Sequence, residues 1–202
     1  MISASFKATQ DRIFPRLGGG SPQRPLPDDA VLLRIADQFD VHFVAYLEDE
    51  KGVESEVVIT KPQLKRWRVK LETLANTAGW NGGETAIWGW PPVNDKLRLF
   101  QYPDNDEYWI SHIVSPGCLL GHTDVPNPPI VMIPNPTTIF IAGLPDHDAQ
   151  ALLLELSIKA AGDQPPVTCR PIVIDNNWEK WNLVPDVENP FAKEYQRHFV
   201  NV

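Results

Sequence analysis

PPIVMIPNPTTIFIAGLPDHDAQALLLELSIKAAG, residues 128–162, decides the fold. Ile130–Ile133 and Ile139–Ala142 are unbroken apolar runs on either side of Pro134-Asn135-Pro136-Thr137, a composition that turns the chain and pairs two largely buried strands. Asp146 can cap the helix that follows, and Asp148 puts negative charge at its positive end. Ala149, Leu152, Leu153, Leu156 and Ala160 recur at three- and four-residue steps before Gly162, so one face of that helix is apolar. Pro165-Pro166 then leads into Val167–Ile174, a strand that Pro171 confines to an edge or bulge. The sequence predicts a β-β-α-β unit over 129–174, a helix stripe lying across one sheet face, which is an α+β arrangement.

Working toward the N-terminus, Val31–Ala36 and Val41–Leu47 suit a hairpin joined through residues 37–40, with Val57–Ile59 as a third strand. Thr60 and Pro62 open a helix whose stripe runs Leu64, Trp67, Leu71, Leu74, Ala75 and Ala78, and Gly79 is expected to stop it. Thr85–Trp90 and Leu97–Tyr102 flank a proline-rich turn as a second hairpin, and Tyr108–Val114 leans to a short helix. A last helix is expected through Phe191, Tyr195 and Phe199. Residues 15–29 hold three glycines and four prolines, so 1–29 are expected to be a flexible segment and 30–202 one α+β domain with an antiparallel or mixed sheet and two principal helices.

A chain of 202 residues with 43% hydrophobic and 22% charged side chains can close a core without disulfides or a structural metal. Its formal charge of −8 has the wrong sign for neutralising phosphates, which argues against nucleic acid as a partner. The basic run Lys61, Lys65, Arg66, Arg68, Lys70 fits a solvated helix face. No apolar run reaches the roughly 18 residues of a membrane helix, and residues 1–20 lack a signal-peptide core, so a cytoplasmic protein without membrane contact is expected.

Three pieces in fixed order, ITKPQLKRWRVKLETLANTAGWN (59–81), DEYWISHIVSP (106–116) and PPIVMIPNPTTIFIAG (128–143) with the leucine-rich helix after it, resemble the YtpQ-like family of uncharacterised bacterial proteins. The similarity spans roughly residues 26–181, with departures at His112 and at Asn135-Pro136. The resemblance implies an α+β cytoplasmic protein of bacterial type and implies no reaction.

Chemistry-bearing motifs are sparse. The five histidines form no HxxxH, HExxH or HxH pair, so no metal is expected. Asp146-His147-Asp148 is first-turn helix chemistry, and Asp104, Asp106 and Glu107 lack the glycine and the bidentate glutamate of a calcium loop. There is no nucleophile elbow and no phosphate-binding glycine loop, and Cys118, with His112 and His122 close in sequence, is the one thiol constellation. Seven tryptophans are the compositional excess, and Trp88, Trp90, Trp178 and Trp181 are candidates for an exposed aromatic platform. The leading expectation is a non-enzymatic binding or interaction domain, regulatory or immunity-type, that needs no cofactor and partners another protein. The alternative is a small hydrolase or transferase built on Cys118 or an Asp-His pair.

Overall fold

The computed structural model describes residues 2, 4–18, 25–49, 51–85, 92–93, 100–101, 108–116, 124–162, 165–175, 177 and 180–200. The chain is α+β, with antiparallel strand pairing throughout the registered ladders. It falls into two compact units, the first from residues 1–34, 40–86 and 107–118, the second from 35–39, 87–106 and 119–202.

In the first unit, strand β3 (Phe39–Glu48) pairs with β1 (Ile13–Leu17) on one side and with β2 (Leu32–Ile35) and β4 (Glu54–Val58) on the other. The segment expected to be flexible through residue 29 thus supplies a sheet strand, preceded by helix α1 (Phe6–Thr9) and a 3-10 turn at Gln10–Arg12. Ile2 and Ile13 are buried, and Trp67 donates to the Ala4 carbonyl at 2.9 Å. Its glycine-rich part, 19–24, lies outside the described residues. Pro15 is admissible in β1 because β1 is an edge strand and a missing N–H costs no ladder bond on its free side. That side is closed by Asn81, whose Nδ2 donates to the carbonyls of Gln10 (2.6 Å) and Ile13 (2.9 Å).

The hairpin between β2 and β3 is tighter than expected. Ala36 and Asp37 both take positive φ, at 47° and 55°, and Gln38 N–H closes the turn on the Ile35 carbonyl at 2.9 Å. Two left-handed residues in succession match the strand twist, which is why a two-residue turn suffices without glycine.

The helix expected over 61–78 is two helices. Helix α2 (Lys61–Trp67) ends at Arg68, which is left-handed (φ 57°) and returns its N–H to Leu64 and Lys65. Helix α3 (Leu71–Thr85) then runs straight through Gly79. Gly79 and Gly82 face helix α4 (Ile110–Val114) instead of stopping α3, since a methyl at Gly82 would lie 1.8 Å from Ser111 Oγ and one at Gly79 2.7 Å from Ser115 Cβ. The glycines are there for close helix approach, a use that a C-cap reading misses. The basic run Lys61–Lys70 is exposed, as a solvated face requires.

In the second unit the sheet order is β5-β7-β6-β8-β9, from Phe100–Gln101 (β5), Pro129–Asn135 (β6), Thr138–Gly143 (β7), Ile172–Ile174 (β8) and Trp181–Leu183 (β9). The β-β-α-β unit is present, with helix α5 at His147–Ala161 and Asp146 Oδ1 accepting from Ala149 N–H at 3.0 Å, but its last strand is shorter than the expected Val167–Ile174, since β8 begins only after Pro171. Ile130, Met132, Phe140 and Ala142 pack against Ala149, Leu153 and Leu154 of α5 and against Tyr195 and Phe199. The buried face of α5 is turned slightly from the expected one, with Leu152 and Leu156 only partly covered. The opposite sheet positions Val131, Ile133, Ile139 and Ile141 are equally buried. The expected final helix is one α-turn, α6 (Ala192–Tyr195), continued by a π-turn through Val200.

Candidate functional site

Strand parity builds the site. In an antiparallel sheet alternate residues share a face, so Phe14 and Arg16 of β1, His42, Val44 and Tyr46 of β3 and Glu56 and Val58 of β4 fall on one side. Ile13, Pro15, Phe43 and Ala45 occupy the other side and are buried. The first side carries the chemistry of the unit.

At its centre Arg16 reaches across β3. Its Nε donates to Glu56 Oε2 at 3.3 Å, a terminal nitrogen meets the Tyr46 hydroxyl, and that hydroxyl donates to the same Glu56 oxygen at 3.2 Å. Only 12% of the Arg16 side chain is exposed. Its guanidinium carbon lies 5.6 Å from the Tyr46 ring centre and 5.3 Å from that of Tyr108, within the range of cation–aromatic attraction. Phe14 stands edge-on to Tyr46 at 5.6 Å and tilted to Tyr108 at 5.3 Å. Five side chains, Phe14, Arg16, Tyr46, Glu56 and Tyr108, are thereby locked by one another, and rings held this way offer contact area at little entropic cost.

Beside this cluster opens a groove of about 460 Å³ lined by Asp11, Arg12, Phe14, Tyr46, Glu54 and Tyr108. Arg12 leans on Glu48 at 3.9 Å, while Asp11 and Glu54 make no ion pair among the described residues. The groove therefore joins three aromatic walls to two carboxylates that make no ion pair among the described residues, with Arg12 beside them. His42 borders the cluster, 6% exposed, and burial pulls its pKa below the ordinary value, the charge of Arg16 adding to that pull and Glu56 opposing it.

The tryptophan platform expected from the sequence takes a different form. Trp181 lies in β9 opposite Ile174 and is only 4% exposed, so it belongs to the interior of the second unit and presents no face. Trp88, Trp90 and Trp178 lie outside the described residues. Among the described tryptophans the exposed one is Trp80, on α3, at 61%, next to the Asn81 that ties α3 to Gln10 and Ile13. A tryptophan at a polar helix position, out of step with the Leu71-Leu74-Ala78 stripe, is the signal that would have found it.

The catalytic alternatives fare unevenly. Asp146 spends a carboxylate oxygen on its helix cap, and His147 beside it is exposed. Cys118, His122 and the Asp104–Glu107 run lie outside the described residues, and His112 is buried in α4. Cys169 is a half-buried free thiol whose pKa burial raises, the wrong direction for a nucleophile. Among the described residues no three His, Cys, Asp or Glu side chains gather to hold a metal ion, and no helix is long and apolar enough to cross a membrane. No family model, curated protein or solved structure matches this chain.

Proposed function

We propose that the chain is a non-enzymatic binding protein whose groove between β1, β4 and Tyr108 receives a lysine or arginine side chain of a partner protein. One observation carries this reading: Phe14, Tyr46 and Tyr108 wall a groove in which, among the described residues, Asp11 and Glu54 make no ion pair and the one lining cation, Arg12, leans on Glu48. Tyrosine and arginine anchors concentrate binding energy at protein interfaces, and the acidic lining selects the sign of what enters. The similarity of residues 26–181 to YtpQ-like proteins is part of the same proposal and adds no reaction to it.

The test is an array of short peptides of varied sequence, probed with the intact chain. Peptides with lysine or arginine flanked by apolar residues should be enriched, and Asp11→Asn with Glu54→Gln should abolish the enrichment without moving the melting temperature. Tyr108→Ala should weaken capture about 2- to 30-fold, the range set by a cation–aromatic contact of about 0.5–2 kcal/mol. Equal capture of acidic and basic peptides would refute the reading.

A further inference from the structure

The sheet of the first unit has a β1 side and a β4 side, and the phase of its hydrogen bonds shows which of them is open. Ile59 N–H donates to the Phe43 carbonyl at 2.8 Å and Asp49 N–H to the Val53 carbonyl at 3.0 Å. Both pairs continue the register that sets Ala45 opposite Val57 and Leu47 opposite Ser55, so Ser55 and Val57 of β4 bond inward to β3. The N–H and C=O groups of Glu54, Glu56 and Val58 therefore point away from β3, and among the described residues no hydrogen bond reaches them. Glu54 and Glu56 are exposed. The β1 side is the contrast. By the same phase Ile13 and Pro15 face outward there, but the Ile13 carbonyl accepts from Asn81 Nδ2 and the Pro15 carbonyl from an Arg16 terminal nitrogen at 3.3 Å, and proline has no N–H to offer. One edge is closed by its own side chains and the other is left unpaired.

Charge decides what can pair with the open edge. Glu54 and Glu56 share the sheet face that carries Phe14 and Tyr46, and Glu54 itself lines the groove. A second copy of β4 laid antiparallel on this edge and centred on Glu56 would set that carboxylate against its own counterpart, and like charges directly opposite repel. A lysine or arginine opposite Glu54 instead completes a cross-strand pair and enters the groove from the same face, while the residues alternating with it fall beside the uncharged Ser55 and Val57 on the other face. We infer that the partner arrives as an extended segment that adds to β4 as an antiparallel strand, its lysine or arginine opposite Glu54 and its backbone bonded to the outward groups of Glu54 and Glu56. This mode of capture rests on the groove receiving a basic side chain and adds how the partner's chain is held. Main-chain hydrogen bonds supply the grip, and the acidic face supplies the choice of sequence.

The test uses the full chain and the peptide acetyl-Thr-Val-Lys-Val-Lys-Val-Thr-amide in three forms: unmodified, N-methylated on the backbone nitrogens of both lysines, and N-methylated on those of two valines. With the lysines opposite Glu54 and Glu56, lysine N–H groups face β4 and valine N–H groups face away. Methylation at the lysines should therefore weaken binding at least about tenfold more than methylation at the valines. Amide hydrogen exchange read by nuclear magnetic resonance gives the second measure. In the free chain Glu54 and Glu56 should exchange faster than Ser55 and Val57, and saturation with the unmodified peptide should slow both glutamates at least about tenfold. Slow exchange at Glu54 and Glu56 in the free chain would show the edge already covered and overturn the inference. Equal binding of the two methylated peptides, with the glutamate amides unchanged, would overturn the added strand and leave the groove standing. An unmodified peptide that does not bind saturably below about 5 mM, or that binds the Asp11→Asn, Glu54→Gln double variant as well as the parent, would overturn strand and groove together.

Discussion

The two units differ in what their sheets carry. In the second, β6 and β7 are buried on both faces and nearly every position from Ile130 to Ala142 outside the turn is aliphatic or aromatic, while buried polar groups, Gln150 and Ser157 on α5 and Thr168 bonded to Ile133 N–H, sit on the chain around them. In the first, the sheet itself carries charge: buried His42 lies on the face given over to Arg16, Tyr46 and Glu56. Polar groups inside a sheet domain cost stability and confer geometry. The first unit's sheet therefore fixes polar side chains across its strands, and the second unit's sheet buries the more uniformly apolar surface.

The contrast predicts the largest effect at Leu153, fully buried between α5 and the sheet. Leu153→Ala should cost about 2–5 kcal/mol in chemical denaturation, because it opens a cavity in the apolar layer between α5 and the sheet. A loss under about 1 kcal/mol would mean that the core relaxes around the gap, and the contrast with the first unit would fail.

An intermediate effect is expected at the α3–α4 contact. Gly82→Ala places its methyl 1.8 Å from Ser111 Oγ and 2.7 Å from Ser111 Cβ, so one of the two helices must shift. Overpacking of this kind costs about 1–3 kcal/mol, against the fraction of a kilocalorie that alanine normally gains over glycine in a helix. The double variant with Ser111→Gly should recover most of the loss, and a stabilised Gly82→Ala single variant would show that α3 and α4 do not meet as closely as their glycines suggest.

The same contrast explains what could be read from the residues alone. Residues 129–161 were legible because apolar density, turn composition and an Asp cap all point to one answer, and their strands, turn and helix fall where expected. Strand β1 was hidden because Ile13–Leu17 carries a proline and runs into a glycine-rich stretch, so composition argued for a loop; only pairing with β3 makes it a strand. The break at Arg68 had no sequence signal, since neither glycine nor proline marks that left-handed residue. With β1 unread, the spacing of Phe14 to Arg16 and of His42 to Tyr46 could not be aligned across strands, and the groove stayed out of sight. Tryptophan content alone does not tell a buried indole from a presented one, as Trp181, which the sheet buries, and Trp80, which a helix exposes, show.

The smallest effect concerns the polar interior itself and works through protons. His42 is buried with its pKa held below the ordinary 6.5, so the folded chain keeps the imidazole neutral at a pH where the unfolded chain has already protonated it. The unfolded state then binds more protons, and stability is intact above pH 6.5 and falls as the pH drops below it, until the folded-state pKa is passed. A single site can contribute at most about 1.4 kcal/mol per pH unit over that interval. Other groups titrate in the same range, so the measurement is the difference between the parent and His42→Phe, compared by denaturation at a series of pH values from neutral downward. The parent should lose stability relative to the variant below pH 6.5, and curves that stay parallel would place the imidazole in water and take away the clearest mark of a polar interior in the first unit.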